Sequence, residues 1–533
     1  MKVFNNRSHI ITLLIILNSI YFFRLFLILK SGLKKVLEIT PDDAFYYIEI
    51  AKSKSLLNIW SFDGINLTSG FHFLYANLIK LIYELKVDIE FLELFKYISI
   101  LSIFFITFSF YLLSKVLTNL TNSYNFIIIF LIFTTYNILI QTTILMESFL
   151  VIFFSTVSIY LIFLKSLNKL KFLNLTLFFT GFFGTLSRTD FGVTNIFIFF
   201  YSLIFKNTTF SKRSLYTVLG SISSHLFLIV YNFINFGSML QKSAALKLHW
   251  SSFYENSMVP ILKLLFDLIF PFINFKFEPK SLKMSDVVLQ AIYRLESYNK
   301  IFLILFAFFS IVIFIEIGKN FKKLNNNLKI VFLSSLSSIL FYIIFYKFNS
   351  GGIQEWYLSN LLIPYSIALY LIISSLSKYM FAKNFLYLIL IFNFSYSMQN
   401  MTSSIWVHHS SNYQISKIID KNFNNENIGS WNSGIIGYFV DNNKIINLDG
   451  LVNDNVAENI VSGSLPNYLV ENNINYLIDY EYMFINKTVR MRGGYEDEKF
   501  FSCLNKIDTY DSLMKWKNTN VVLLSFNKLC YEN

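Results

Sequence analysis

"SHIITLLIILNSIYFFRLFLILK", residues 8–30, is the stretch on which the fold of this chain turns. Its apolar run is too long for a secretory leader, and no small-x-small cleavage signal follows it. It therefore reads as a first spanning helix that stays in the chain. Arg24, inside it, has no explanation from sequence. The rest of the chain agrees with a membrane protein: of 533 residues, 54% are hydrophobic, and the mean hydropathy is +0.51.

Further apolar segments of roughly spanning length fall near 93–114, 123–141, 145–164, 172–187, 190–206, 213–235, 299–318, 328–347, 358–377 and 384–400. Positive charge clusters at Lys2/Arg7, Lys115, Lys165/Lys169/Lys171, Lys206/Lys212/Arg213, Lys319/Lys322/Lys323/Lys329 and Lys378/Lys383. With those clusters on the cytoplasmic side, these segments and residues 8–30 alternate as eleven spans. This holds only if 69–86 and 257–275 do not cross. Both carry charges in mid-segment (Lys80 and Glu84, Lys263 and Asp267) and read as interfacial or re-entrant helices. The same placement assigns the net charge of +12 to cytoplasmic loops rather than to nucleic-acid binding.

The fold expected is a polytopic α-helical membrane protein in two parts. Residues 1–400 form the membrane module, with its N-terminus cytoplasmic and with outer loops 31–92, 236–298 and 348–357. Residues 401–533 form an extracytoplasmic α/β domain, in which "NYLVENNINYLIDY" reads as helix, turn and strand, and "KIINLDG" and "VVLLSF" read as strands. Cys503 and Cys530 both fall there; an oxidising compartment would let them pair, and chance placement explains them equally well.

About ten residues beyond the first span stands "TPDDAFYYIEIAKS", residues 40–53. Local helix chemistry explains part of it. Thr40 suits an N-cap, Pro41 the first helical position, and Asp43, three residues after Thr40, completes a capping box. The helix that follows is apolar on most sides, with Glu49, Lys52 and Lys54 as a wet edge, and would lie along the membrane surface. A carboxylate held there meets the depth at which a lipid-linked substrate presents its phosphate. It would deprotonate an acceptor hydroxyl attacking a sugar, and a prenyl phosphate leaves without a general acid, unlike the alcohol released by a glycosidase. With Asp43 used in capping, Asp42 is the better base.

"DDAFYYIEIAKS" followed by "FDGINLTSGFHFLY" resembles the first outer loop of bacterial GT-C glycosyltransferases. These polytopic enzymes use polyprenyl-phosphate-linked sugars and include protein O-mannosyltransferases, aminoarabinose transferases and arabinofuranosyltransferases. Further matches follow in order: "TILMESFLVIF", "LSRTDFGV" (186–193), "YNFINFGSMLQKSAALK" (231–247), "QEWYLSNLLIP" (354–364) and "IINLDGLVND" (445–454). The resemblance spans nearly the whole chain and implies that the first acid of the pair, Asp42, is catalytic. Departures are Phe73 where the family's His-Pro-Leu has proline, Thr189 where proline is common, and a lost proline near Gln241.

Each remaining candidate has a plainer alternative. Glu147, at the outer end of a span, orients the donor sugar, or helps Asp42 hold a divalent cation (Mg or Mn), or simply complements a helix dipole. Neither an Asp-x-Asp nor a His-rich cluster is present. Arg188 either forks onto the donor phosphate or pairs with Asp190. Lys247, and less so Lys242, would contact that phosphate or simply mark the interface. His72 serves the site or packs structurally. Trp356 and Tyr357 line an acceptor groove or belong to an aromatic belt. Asp449 and Gly450 form a turn or an acceptor contact.

The reading is an inverting glycosyltransferase of the plasma (inner) membrane, moving a sugar from a polyprenyl phosphate to an acceptor glycan, lipid or protein on the outer face. A transporter would carry broken helices and mid-membrane charge, whereas the charges here gather at one face; a non-catalytic envelope-assembly scaffold is the other alternative.

Overall fold

The computed structural model describes residues 2–121, 125–164, 171–253, 321, 324–349, 354–375, 380–514 and 519–532. The expected span 299–318 and the segment 257–275 lie outside them, as does much of the loops 236–298 and 348–357.

The first apolar run becomes α1 (Lys2–Lys30), with Phe22, Phe23 and Phe26 exposed and Leu17, Tyr21 and Ile28 buried against the protein. Arg24 now has its reason. It is fully buried and donates to Thr143 Oγ1 and to the carbonyl of Met401, joining α1 to the chain after the last membrane helix. Two short helices follow, α2 (Gly32–Ile39) and α3 (Asp42–Leu56), then α4 (Phe73–Leu85) and the long α5 (Phe91–Thr121). At 13 residues α4 is shorter than a bilayer crossing.

The expected span 123–141 is broken into α6 (Phe126–Phe133) and α7 (Tyr136–Gln141). The break falls at Thr134 and Thr135, whose hydroxyls donate back to the carbonyls of Leu131 (3.0 Å) and Ile132 (2.7 Å). Such back-bonding competes with the helical ladder. Next come α8 (Ser148–Phe163), α9 (Leu173–Ser187), α10 (Val193–Ile204), α11 (Thr208–Phe236), α12 (Lys242–Ser252), α13 (Asn326–Asn349), α14 (Ser359–Ser375) and α15 (Met380–Gln399). Among the described residues, stretches of α1, α5, α11 and α13 are long and apolar enough to cross a bilayer, and shorter apolar helices accompany them. The chain is a multi-pass membrane protein.

Small residues set one helix contact. A Cβ on Gly181 would lie 1.9 Å from the Thr217 carbonyl oxygen, and one on Gly220 would lie 1.9 Å from that of Phe178. The backbones of α9 and α11 therefore touch, as small residues permit in membranes.

After α15 the chain forms α16 (His409–Asn422), β1 (Asn427–Ser430), α17 (Gly434–Phe439), β2 (Lys444–Asn447), α18 (Asp454–Ser462), α19 (Leu465–Glu471) and β3 (Tyr476–Tyr480). Then come α20 (Tyr482–Ile485), α21 (Lys487–Arg492), α22 (Glu498–Ser502), β4 (Leu504–Met514), β5 (Thr519–Phe526) and α23 (Lys528–Glu532). Of the stretches read as strands, 476–480 and 521–526 fall on strands throughout, and 444–450 does so over its first four residues, Lys444–Asn447. The sheet has the order β2-β1-β3-β5-β4, parallel across β2, β1 and β3 and antiparallel beyond. Its core contains Ile428, Ile446, Leu477, Ile478 and Leu523, and it also takes in Leu246 and Trp250 from α12. Cys503 and Cys530 are disulfide-bonded.

Candidate active site

The acid pair opens α3, but neither the expected cap nor the expected division of the pair forms. The Thr40 hydroxyl donates back to Val36 O at 2.8 Å, closing α2 instead. Pro41 holds the N-cap position of α3 with no side-chain capping bond. Asp42 turns away from its own helix: Oδ2 accepts from Gly434 N and Oδ1 from Ile435 N, each at 2.9 Å. Burial raises its pKa, while those two amides and the Tyr46 hydroxyl pull it down. Asp42 is therefore the engaged member of the pair, because a distant helix start with unpaired N–H groups competes for it.

Asp43 accepts no hydrogen bond from any other described residue and is partly exposed. Burial pushes its carboxyl up to about 6; Lys247 opposes that shift and Asp42 adds to it. Lys247 sits in α12 and donates to the Tyr357 hydroxyl at 2.8 Å. Burial works against its ammonium, yet the Tyr357 oxygen and the Asp43 carboxylate hold its pKa above the ordinary value. Lys242, the weaker lysine candidate, instead pairs with Glu458 at 2.5 Å.

Behind these groups lies a buried polar cluster. Glu147, fully buried just before α8, accepts from Arg188 Nη1 at 2.9 Å through Oε1, while its Oε2 has no hydrogen-bond partner. Arg188 ends α9 and also donates through Nε to Asp190 Oδ1 at 3.0 Å. Its guanidinium lies 4.7 Å from the Tyr357 ring centroid. Asp190 is further held by Tyr346 Oη (2.5 Å) and Asn360 Nδ2 (2.6 Å). Arg188 thus forms the pair with Asp190 that its spacing allowed and a second pair with Glu147. Its Nη2 has no hydrogen-bond partner among the described residues. Paired buried charges of this kind cost much desolvation, so they fix geometry more than they add stability.

His72 precedes α4 and stacks at 6.2 Å on Tyr47, with Nε2 3.5 Å from Glu147 Oε1. Burial, then Arg188 and Lys247, depress its pKa well below the usual range, so the imidazole is neutral. Trp356 and Tyr357, read as groove-lining, are buried at 4% and 6% exposure. They form the wall behind the two cations, the Trp356 carbonyl lying 3.4 Å from Arg188 Nη1. Asp449 makes the turn its sequence allowed, accepting from Leu451 N at 2.7 Å, and also accepts from Tyr46 Oη at 2.7 Å.

Asp43, Glu147, Arg188, Lys247, His72 and Tyr357 therefore belong to one neighbourhood drawn from α3, α4, α8, α9, α12 and the 3₁₀ turn Glu355–Leu358. Sequence reasoning missed Tyr346, Asn360 and Tyr47. The first two sit in apolar spans and the third in an aromatic run, where no local pattern distinguishes them. Among the described residues, the side chains gathered here do not form a metal-ligand set. Glu147 Oε1 is taken by Arg188, the Lys247 ammonium supplies the positive charge beside Asp43, and no group of three His, Cys, Asp or Glu among the described residues could hold an ion.

A family model described as a domain of unknown function (DUF8728) matches residues 399–522. No curated protein matches the chain by sequence. Solved structures do. The archaeal oligosaccharyltransferase AglB from Archaeoglobus fulgidus, in complex with an inhibitory peptide and a dolichol-phosphate, is similar with TM-score 0.50 at 12% identity, over 92% of this chain and 72% of that one. Its apo form gives 0.50 at 13%, over 94% and 73%. ArnT from Cupriavidus metallidurans, in the apo state, gives 0.51 at 9% identity, over 95% and 98%. This chain spans from 64% to 73% of the archaeal enzyme across its structures. Helices with apolar spans, a sheet domain after them and both likenesses agree: the fold of this chain is that of the GT-C glycosyltransferases.

Proposed function

We propose that this chain is an inverting glycosyltransferase that moves a sugar from a polyprenyl phosphate to an acceptor hydroxyl, with Asp43 as the general base. The observation that carries the reading is Asp43 itself. It is a carboxylate with a raised pKa, accepting no hydrogen bond from another described residue, beside Lys247 and in the neighbourhood of Arg188 and Glu147. The acceptor O–H gives its proton to a carboxylate oxygen of Asp43 as the acceptor oxygen attacks the anomeric carbon. The bond from that carbon to the phosphate oxygen breaks on the opposite face, and its electrons leave with the phosphate. One displacement inverts the centre. Lys247 and the Nη2 of Arg188 offer positive charge to the departing phosphate. Glu147 holds Arg188 in place through Oε1 and has Oε2 left for a sugar hydroxyl, and neutral His72 offers a hydrogen bond without adding charge. Trp356 and Tyr357 serve as the wall that fixes both cations.

The dolichol-phosphate bound by the archaeal neighbour supports a polyprenyl-linked donor. The disulfide supports an oxidising, extracytoplasmic setting for residues 401–533, with residues 1–400 as the membrane module and the N-terminus cytoplasmic. The acceptor is a hydroxyl of a glycan, lipid or protein.

The test is release of polyprenyl phosphate from a panel of hexosyl and pentosyl polyprenyl phosphates by purified protein in lipid nanodiscs. Wild type is expected to release it, and Asp43→Asn to lose about 10²–10⁴ of the rate. A folded Asp43→Asn protein with wild-type turnover would reject Asp43 as the base, and no release from any donor would reject the transferase.

A further inference from the structure

We infer that Asp42 is a positioning residue, a latch that seats the C-terminal sheet domain on α3 and thereby brings Lys247 into the neighbourhood of Asp43. The inference rests on Asp43 as the base. Its starting point is the sheet. β1 lies between β2 and β3, so the chain leaves β1 to one side for β2 and returns on the other side as β3. The carboxyl end of β1 is thus the point where strand order switches. In parallel sheets that crevice receives ligands, commonly anions on the N–H groups of the next helix. Here a carboxylate from the membrane module fills it, with Asp42 accepting from Gly434 N and Ile435 N.

The fit leaves no slack. A Cβ on Gly434 would lie 2.3 Å from the Asp42 carbonyl oxygen and 2.8 Å from its carboxyl carbon. Close by, Tyr46 donates to Asp449 at 2.7 Å. A second contact repeats the arrangement with roles exchanged. Asp454 of the sheet domain accepts from Ser69 N (2.9 Å) and Ser69 Oγ (2.8 Å), and a Cβ on Gly70 would lie 1.7 Å from the Leu451 carbonyl oxygen.

Lys247 travels with the sheet domain. Its neighbours Leu246 and Trp250 are buried in that domain's core, and Leu246 lies against Gly450. Asp43, by contrast, follows Asp42 directly on α3. The Asp42 contact therefore fixes the sheet domain, and Lys247 with it, at the residue next to the base.

The experiment uses the full chain in nanodiscs and reads amide hydrogen exchange at 434–439, kcat, KM and the pH profile. Asp42→Asn keeps the side chain's shape but puts an amide N–H₂ against one of the two backbone donors. Exchange at 434–439 is expected to speed up, and kcat to fall about a hundredfold with KM little changed. Gly434→Ala removes no charge yet is expected to do the same, and to move the acid limb of the pH profile upward as Lys247 recedes from Asp43. A kcat loss in Asp42→Asn with exchange unchanged overturns the latch, because Asp42 then acts in the chemistry itself. Faster exchange with wild-type turnover also overturns it. If Gly434→Ala does not fold, the Asn variant decides alone. If wild type consumes no prenyl-phosphate sugar, the transferase reading fails, while exchange in Asp42→Asn still reports whether this contact seats the domain: faster exchange upholds the seating and unchanged exchange rejects it.

Discussion

Asp43 and Asp42 are adjacent in sequence and opposite in circumstance. Asp42 accepts from two backbone amides, and Asp43 from no other described residue. A general base works best when its pKa lies close to the working pH, and burial brings the Asp43 carboxyl up to about 6. The sign of the pH dependence follows. The base must be ionised, so turnover is full above that value and falls as the pH drops through it and the carboxyl takes up a proton. We expect kcat/KM to have fallen about tenfold by pH 5 and about tenfold for each pH unit below that, measured between pH 4 and 8 on the wild-type protein. A profile flat across pH 5 to 7 would contradict Asp43 as the titrating base. The capping box that the "TPDD" spacing suggested for Thr40 and Asp43 is local chemistry of the right kind, but the Thr40 hydroxyl closes α2 instead, and the long-range donor pair takes the neighbouring Asp42.

At the level of elements, the position of Arg188 depends on how α9 crosses α11. Gly181 and Gly220 let the two backbones meet, and Arg188 is the residue that ends α9. Gly220→Ala would put a methyl group 1.9 Å from the Phe178 carbonyl oxygen. Backbone cannot give way as a flexible side chain can, so the helices must part. We expect a loss of at least about 1–3 kcal/mol, read as a lower thermal midpoint in detergent, together with reduced turnover as Arg188 shifts. An unchanged midpoint would mean that the crossing tolerates separation. The helices themselves were legible as long apolar runs. The break at Thr134–Thr135 was not, because a hydropathy window averages over two threonines whose hydroxyls bond back to the preceding turn.

Across the whole molecule, the membrane helices and the sheet domain meet at Asp42, Tyr46, Ser69 and Gly70, and the Cys503–Cys530 disulfide ties the residue before β4 to α23 within the sheet domain. That bond links residues 27 apart, which on loop-closure entropy stabilises the domain by about 3.5 kcal/mol. Reduction, or Cys530→Ser, is expected to lower the unfolding midpoint of the sheet domain while the membrane helices keep their helical signal in circular dichroism. A midpoint insensitive to reductant would show that the bond does not stabilise the domain. The sequence by itself determined the membrane class, the helical module and several strands of the sheet domain. Those follow from hydropathy over a spanning length and from the alternation of strands, which are properties of neighbouring residues. It also picked out several of the residues that the fold brings together around Arg188, though not Tyr346, Asn360 or Tyr47. Only the tertiary structure decided which carboxylate of the pair is free, that Arg188 is bound by two acids, and that Tyr357 packs against Arg188 and accepts from Lys247. Those are questions of partner atoms, and the donor to Asp42 lies 392 residues along the chain.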